Sequence, residues 1–216
     1  MNNNLKNKLK TGTTTIGIVC KDGIVLAADK RVSGGYRIMH KSFDKVHQIS
    51  DYMAVTTAGL VSDAQLITKL IRAELRLKKI RTNKEPTTKE GANLLAGIVY
   101  ANARKFSSFQ SIVGFLLGGK DKNSNYSLYE IGLDGSISFY SDYTSDGSGS
   151  DLVIGVLEAL YKQEITVEEG IKLAVKALNS SIQRDMPSGN GFDVFTITDK
   201  GVKKVLSKKI DTQVAI

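Results

Sequence analysis

Two pairs of helical segments, each set between groups of short strands, constrain the fold of this 216-residue chain more than any other feature. Thr14 to Cys20 and Gly23 to Ala28 read as strands, joined by the hairpin signal Lys21-Asp22-Gly23. The second run ends in Asp29-Lys30-Arg31, three charges at the mouth of an apolar strand. Ser33-Gly34-Gly35 reads as a loop. Ile38 to His40 and Lys45 to Ser50 read as short strands, and Met53 to Ala58 as a strand ending at Gly59. A helix is predicted from about Val61 to Ile80. Ile67, Leu70, Ile71 and Leu75 hold its period, and Leu66, Ala73 and Leu77 widen its apolar face. Thr87-Thr88-Lys89-Glu90 is a capping box for a second helix, carrying Leu94, Leu95, Ile98, Val99 and Ala101 and ending near Phe106.

The pattern then repeats. Ile112 to Gly118, Tyr126 to Ile131 and Ile137 to Tyr143 are predicted strands, separated by turns at Asn123-Ser124-Asn125 and Leu133-Asp134-Gly135. The small-residue loop from Asp146 to Asp151 opens a helix through about Lys162. A second capping box, Thr166-Val167-Glu168-Glu169, opens another, with Ile171, Val175, Leu178 and Ile182 on one stripe. Phe192 to Ile197 and Val202 to Leu206 close the chain as a hairpin around Asp199-Lys200-Gly201. Strands joined by tight turns pair antiparallel, and a connection made of two helices covers one sheet face. Two such units predict an α+β fold, a four-layer αββα sandwich of two antiparallel sheets. No strand, glycine-rich loop and helix combine into a phosphate-binding signature.

Two prolines leave no proline-rich linker to mark a boundary, so one domain or a tightly joined pair is expected. The one cysteine, Cys20, lies in an apolar strand and reads as a core residue, which suits a cytoplasmic protein. No run approaches the roughly 18 apolar residues that a membrane span needs. The leader Met1 to Gly12 carries Lys6, Lys8 and Lys10 but no apolar centre, so it reads as a pro-segment and not a secretory signal. Those lysines supply three of the net +8 charges, and the remainder carries 8 − 3 = 5. Further basic residues (Lys69, Arg72, Arg76, Lys78, Lys79, Arg81, Lys84 and Lys89) lie along the first helix and the loop after it, with no aromatics alternating with them. That composition favours a solvated face or a subunit contact over a nucleic-acid surface. No metal-ligand cluster stands out, no cofactor is expected, and His40 and His47 read as packing or surface residues.

The stretch Thr11-Gly12-Thr13-Thr14-Thr15 carries the chemistry. By itself it admits two readings. One is a threonine-rich edge strand behind a frayed tail. In the other the chain is cut after Gly12, and Thr13 becomes an N-terminal residue bearing a hydroxyl nucleophile and a free amine as its base.

Several blocks decide between them. Thr11 to Thr15, Ala27-Ala28-Asp29-Lys30-Arg31-Val32, Asp44-Lys45-Val46, Thr57 to Ala64, Gly147-Ser148-Gly149-Ser150 and Gln183-Arg184-Asp185 together resemble the β subunits of archaeal 20S proteasomes. The resemblance covers nearly the whole chain from Thr13. It implies an N-terminal-nucleophile hydrolase fold, with residues 1–12 as a removable propeptide and residues 13–216 as the catalytic domain. It also implies Thr13 as nucleophile, Asp29, Lys45, Ser148, Asp185 and Ser188 as its supports, and the Gly59 amide as oxyanion donor. Val32, Thr57 and Val61 are implied to line the pocket before the scissile bond; none is charged, so cleavage after apolar residues is expected. His47 stands where the family leads one to expect an apolar or aromatic residue. Implied partners are other β subunits in two stacked heptameric rings, outer α-subunit rings, an ATP-driven unfoldase and unfolded polypeptide substrates.

Physical reasons accompany these roles. A freed Thr13 amine has an ordinary pKa of about 8. A Lys45 ammonium at ~4 Å in an effective dielectric of 20 repels its protonated form by up to about 4 kcal/mol, which Asp29 offsets in part. Asp29 and Lys45 alone would read equally as an ordinary ion pair, and the loops of Ser148 and Ser188 as a plain helix start and stop. Gly12 lets the Thr13 hydroxyl reach the preceding carbonyl, so that the chain can cut itself by acyl shift and hydrolysis. The alternatives are an inactive ring subunit of α or silent β type, a bacterial relative of simpler ring architecture, and a basic binding module. The first lacks support because Thr13, Asp29 and Lys45 are all present and no gating helix precedes Thr13.

Overall fold

A computed structural model describes residues 12–106, 111–122 and 125–210. The predicted leader through residue 11 and the Asn123-Ser124 part of one predicted turn lie outside the described residues. Two five-stranded sheets face each other, and every strand pair in them is antiparallel. The first runs in the order β10 (Tyr143–Asp146), β1 (Thr15–Cys20), β2 (Gly23–Asp29), β11 (Gly191–Thr198), β12 (Gly201–Lys209). The second runs β5 (Val46–Gln48), β6 (Met53–Gly59), β7 (Val113–Lys120), β8 (Tyr126–Ile131), β9 (Ile137–Tyr140). A separate hairpin, β3 (Val32–Gly34) with β4 (Arg37–His40), projects between β2 and β5.

Three apolar layers hold the stack together. Helices α1 (Val61–Thr82) and α2 (Thr88–Ala103) pack on the outer face of the second sheet through Ile67, Ile71, Leu75, Leu95 and Val99. Helices α3 (Ser150–Leu160) and α4 (Val167–Arg184) cover the first sheet through Val153, Leu157, Ala174 and Leu178. Ile24, Leu26, Leu116, Leu128 and Ile197 fill the space between the sheets. This is the predicted αββα sandwich. Both predicted capping boxes form: Thr87 and Thr166 each accept the amide three residues on, and Glu90 and Glu169 return the bond.

The sheets correct one predicted strand. Ile137 to Tyr143 is not continuous: it breaks at Ser141-Asp142, leaving β9 at the edge of one sheet and β10 at the edge of the other. Ser33-Gly34, expected in a loop, belongs to β3. Leu66, Leu70 and Leu77 are exposed, because the sheet covers only the stripe of Ala64, Ile67, Thr68, Ile71 and Leu75. On α4 only Leu178 of the predicted stripe is fully buried. Ile171, Val175 and Ile182 flank a face centred on Leu173, Ala174 and Ala177. The basic α1 face is partly neutralised: Lys78 pairs with Glu90, and Lys79 with Asp51 and Glu85. No helix among the described residues is long and apolar enough to cross a membrane.

Candidate active site

Strand register brings the first site residues together. β1 pairs with β2 so that Thr15 lies opposite Ala28, which sets Thr14 beside Asp29. The Thr14 amide donates to Asp29 Oδ1 at 3.0 Å, and the Asp29 amide donates back to the Thr14 carbonyl. The other carboxylate oxygen accepts the amides of Arg31 and Gly189, both at 2.9 Å. Lys45, just before β5, reaches across from the second sheet and donates to Asp29 Oδ1 at 2.7 Å. Both members of this ion pair are buried. Burial pulls Lys45 below the ordinary lysine range, and the Asp29 carboxylate opposes that pull. Asp29 accepts four hydrogen bonds, so this buried carboxylate is well solvated by the protein itself.

Thr13 sits directly ahead of β1 and is buried. Its hydroxyl donates to the Gly12 carbonyl oxygen at 2.7 Å. The loop between β10 and α3 wraps around it. Thr13 N–H donates to Ser148 Oγ at 3.3 Å, and the Thr13 carbonyl accepts the Gly149 amide at 3.4 Å. Gly147 has φ +105°, and a Cβ there would lie 2.1 Å from the Thr13 carbonyl oxygen, so only glycine fits.

Asp185, at the C-terminus of α4, gathers the remaining groups. Its Oδ2 accepts the Ser148 hydroxyl at 2.7 Å and the Ser188 hydroxyl at 2.6 Å. Ser188 is 2.7 Å from the Thr14 hydroxyl, which must therefore be the donor in that contact, since the Ser188 proton is already given to Asp185. Ser148 thus touches Thr13 directly, while Ser188 touches its neighbour.

A narrow recess is lined by Gly12, Thr13, Lys45, Gly59 and the three predicted pocket residues Val32, Thr57 and Val61. Phe43 and Ala64 also line it. Gly59 closes β6 with φ +136°, where a Cβ would lie 2.1 Å from the Ile112 carbonyl oxygen. Glycine is needed there for packing against the Ile112–Val113 backbone as much as for access to its amide. His47 does not line the recess. It lies further along β5 in a separate groove, near Arg72 and Lys204, and burial lowers its pKa. A wider groove, lined by Asp51, Tyr52, Lys79, Glu85, Lys120 and Asp121, lies at the opposite end of β6 and holds none of these groups. Lys79 is engaged there by Asp51 and Glu85, and Lys120 by Asp199.

Arg31 went unnoticed as a site residue in the sequence. Its guanidinium donates to the Met186 carbonyl at 2.6 Å and to Asn190 Oδ1 at 2.7 Å, bracing the loop that carries Asp185 and Ser188. The only local signal was its place in the charged run after β2. Chemically, the cluster holds a hydroxyl beside a peptide carbonyl, a buried ammonium fixed by a carboxylate, and a serine–aspartate relay to the Thr13 nitrogen.

Comparison with known proteins points the same way. The family model described as "Proteasome subunit" matches residues 9–197. The protein named proteasome subunit beta from Archaeoglobus profundus is 42% identical over 207 residues, covering 96% of this chain and 94% of that one. Its namesake from Methanocaldococcus vulcanius is 41% identical over 199 residues, covering 92% and 87%. That from Ferroglobus placidus is 39% identical over 207 residues, covering 96% of each.

Proposed function

This chain belongs to the proteasome subunit family, and on that footing we propose that it is the threonine endopeptidase of a proteasome core, activated by cutting itself between Gly12 and Thr13. Its β-type relatives make it a protease subunit that assembles with α subunits. The observation that carries the finer reading is the Thr13 hydroxyl, 2.7 Å from the Gly12 carbonyl oxygen in the same recess as a buried Lys45.

Residues 1–12 are the propeptide and 13–216 the mature enzyme. In the first reaction Thr13 Oγ attacks the Gly12 carbonyl carbon and its proton passes to the Thr13 nitrogen, which leaves, so the acyl group moves from nitrogen to oxygen. Water then hydrolyses the ester, releasing the Gly12 carboxylate and freeing the Thr13 amine. In the second reaction the same oxygen attacks a substrate carbonyl, and the amine takes the hydroxyl proton as base. Lys45, fixed by Asp29, disfavours a protonated amine and favours the developing negative charge. The Gly59 amide receives the oxyanion. The amine returns the proton to the leaving nitrogen, and water clears the acyl-enzyme. Ser148, with Asp185 and Ser188 behind it, orients the Thr13 nitrogen.

Val32, Thr57 and Val61 give the recess an uncharged wall, which supports cleavage after apolar residues. The substrates are unfolded polypeptides, degraded inside two stacked seven-membered β rings between α rings, fed by an ATP-driven unfoldase in the cytoplasm. Intact mass after co-assembly with α subunits tests the reading. The parent loses Met1 to Gly12 and hydrolyses peptides; Thr13→Ala keeps the leader and does not. Equal loss of the leader from both would rule out self-cleavage by Thr13.

A further inference from the structure

We infer that Pro187 is what demands glycine at position 12, and so acts as the specificity-determining residue of self-cleavage. The inference rests on the self-cleavage reading above. A Cβ placed on Gly12 would lie 1.7 Å from Pro187 Cβ and 2.5 Å from its Cγ, with Ser148 Oγ at 2.9 Å. No side chain fits there without displacing one of these atoms. Ser148 has a rotatable hydroxyl; Pro187 is a ring with no rotamer to yield.

The wall behind that ring is braced on both sides. Arg31 holds the Met186 carbonyl at 2.6 Å. Asp185 holds the Ser188 hydroxyl at 2.6 Å, and Asp29 accepts the Gly189 amide at 2.9 Å. With the wall fixed, a larger residue at position 12 must move instead. That carries its carbonyl off the Thr13 hydroxyl, now at 2.7 Å, and the acyl shift loses its geometry. The side chain of residue 12 is aimed at Pro187, while Val32, Thr57 and Val61 form a different wall of the recess. The restriction to glycine therefore applies to the leader and not to substrates, whose side chains take the other wall.

Leader removal in co-assembled particles, followed by intact mass against time, tests this. Gly12→Ala slows it by about tenfold or more. Adding Pro187→Gly, which removes both Cβ and Cγ, restores most of the lost rate. Adding Pro187→Ala, which keeps Cβ, does not. Failure of Pro187→Gly to rescue, or equal rescue by both, overturns the inference, as does a Pro187→Gly particle that assembles yet keeps its leader beside a normal Gly12. An experimental structure of the Gly12→Ala precursor gives a readout free of any change at Pro187. The residue 12 carbonyl is expected beyond hydrogen-bond reach of Thr13 Oγ, with the proline ring in place; an unmoved carbonyl overturns the idea. Loss of the leader from Thr13→Ala would instead strike the self-cleavage reading itself.

Discussion

Asp29, Lys30 and Arg31 are three consecutive charges, and each finds a different partner far away in the chain. Asp29 takes Lys45, Lys30 takes Asp193, and Arg31 takes Asn190 and the Met186 carbonyl. Asp29 is the most connected, because it also satisfies the amides of Thr14, Arg31 and Gly189. Replacing it by alanine strands a buried ammonium and three amides at once. Asp29→Ala is expected to cost about 3–5 kcal/mol of stability, read from the urea midpoint, and to abolish peptide hydrolysis. Normal stability in that variant would show the ion pair to be energetically idle. The meeting of Asp29 with Lys45 was expected because the resemblance gives both residues a role. Arg31 was not, since one of its acceptors is a backbone carbonyl 155 residues away and a carbonyl leaves no mark on the sequence.

The elements were legible wherever periodicity and capping chemistry agreed, as at the two Thr-x-x-Glu boxes that open α2 and α4. They were illegible where one apolar run serves two sheets. From Ile137 to Tyr143 the aromatic residues on either side favour a strand, Ser141-Asp142 is the one local turn signal between them, and nothing local marks that β9 and β10 pair with different neighbours. Only the closing of the sandwich separates them. The exposed leucines of α1 show the converse limit: a helix apolar on more than one face does not say which face its sheet will cover. Close packing between the sheets sets a sharper requirement on β1. Gly17 lies opposite Leu128, and a Cβ there would meet Leu128 Cδ1 at 2.7 Å. Gly17→Ala is therefore expected to destabilise by about 1–3 kcal/mol. Leu128→Ala leaves a cavity by itself but makes room for that methyl, so the double variant should be more stable than the two single effects predict by addition. Strict additivity in urea unfolding would mean that the two residues do not share this space.

Across the whole molecule, the two sheets meet mainly through apolar side chains, and beside the site a buried charged network also joins them. Asp193 shares the face of β11 that carries Phe195 and Ile197 into the layer between the sheets. Lys30 Nζ reaches it at 2.5 Å, and both side chains are almost wholly buried. Lys30 also lies 3.6 Å from Asp44, the residue just before Lys45, and Lys204 on β12 lies 3.5 Å from Asp44 and 3.7 Å from Asp193. The network thus ties β11, β12 and the residue that follows β2 to the segment that delivers Lys45 to the site. A buried pair of this kind gains attraction but costs desolvation, so its net contribution is small while the loss of one partner is severe. Lys30→Met should lower stability by about 3–5 kcal/mol, because Asp193 is then left buried with only the more distant Lys204 nearby. Lys30→Met combined with Asp193→Leu removes the stranded charge and should recover most of that loss. If the network only holds the sheets together, the stable double variant will keep full peptide hydrolysis. If it also sets the segment at Asp44 and Lys45, hydrolysis will fall although stability has returned. The second outcome is expected, because removing Lys30 and Asp193 leaves Asp44 with Lys204 alone, and Asp44 adjoins the residue whose ammonium must meet Asp29 at 2.7 Å.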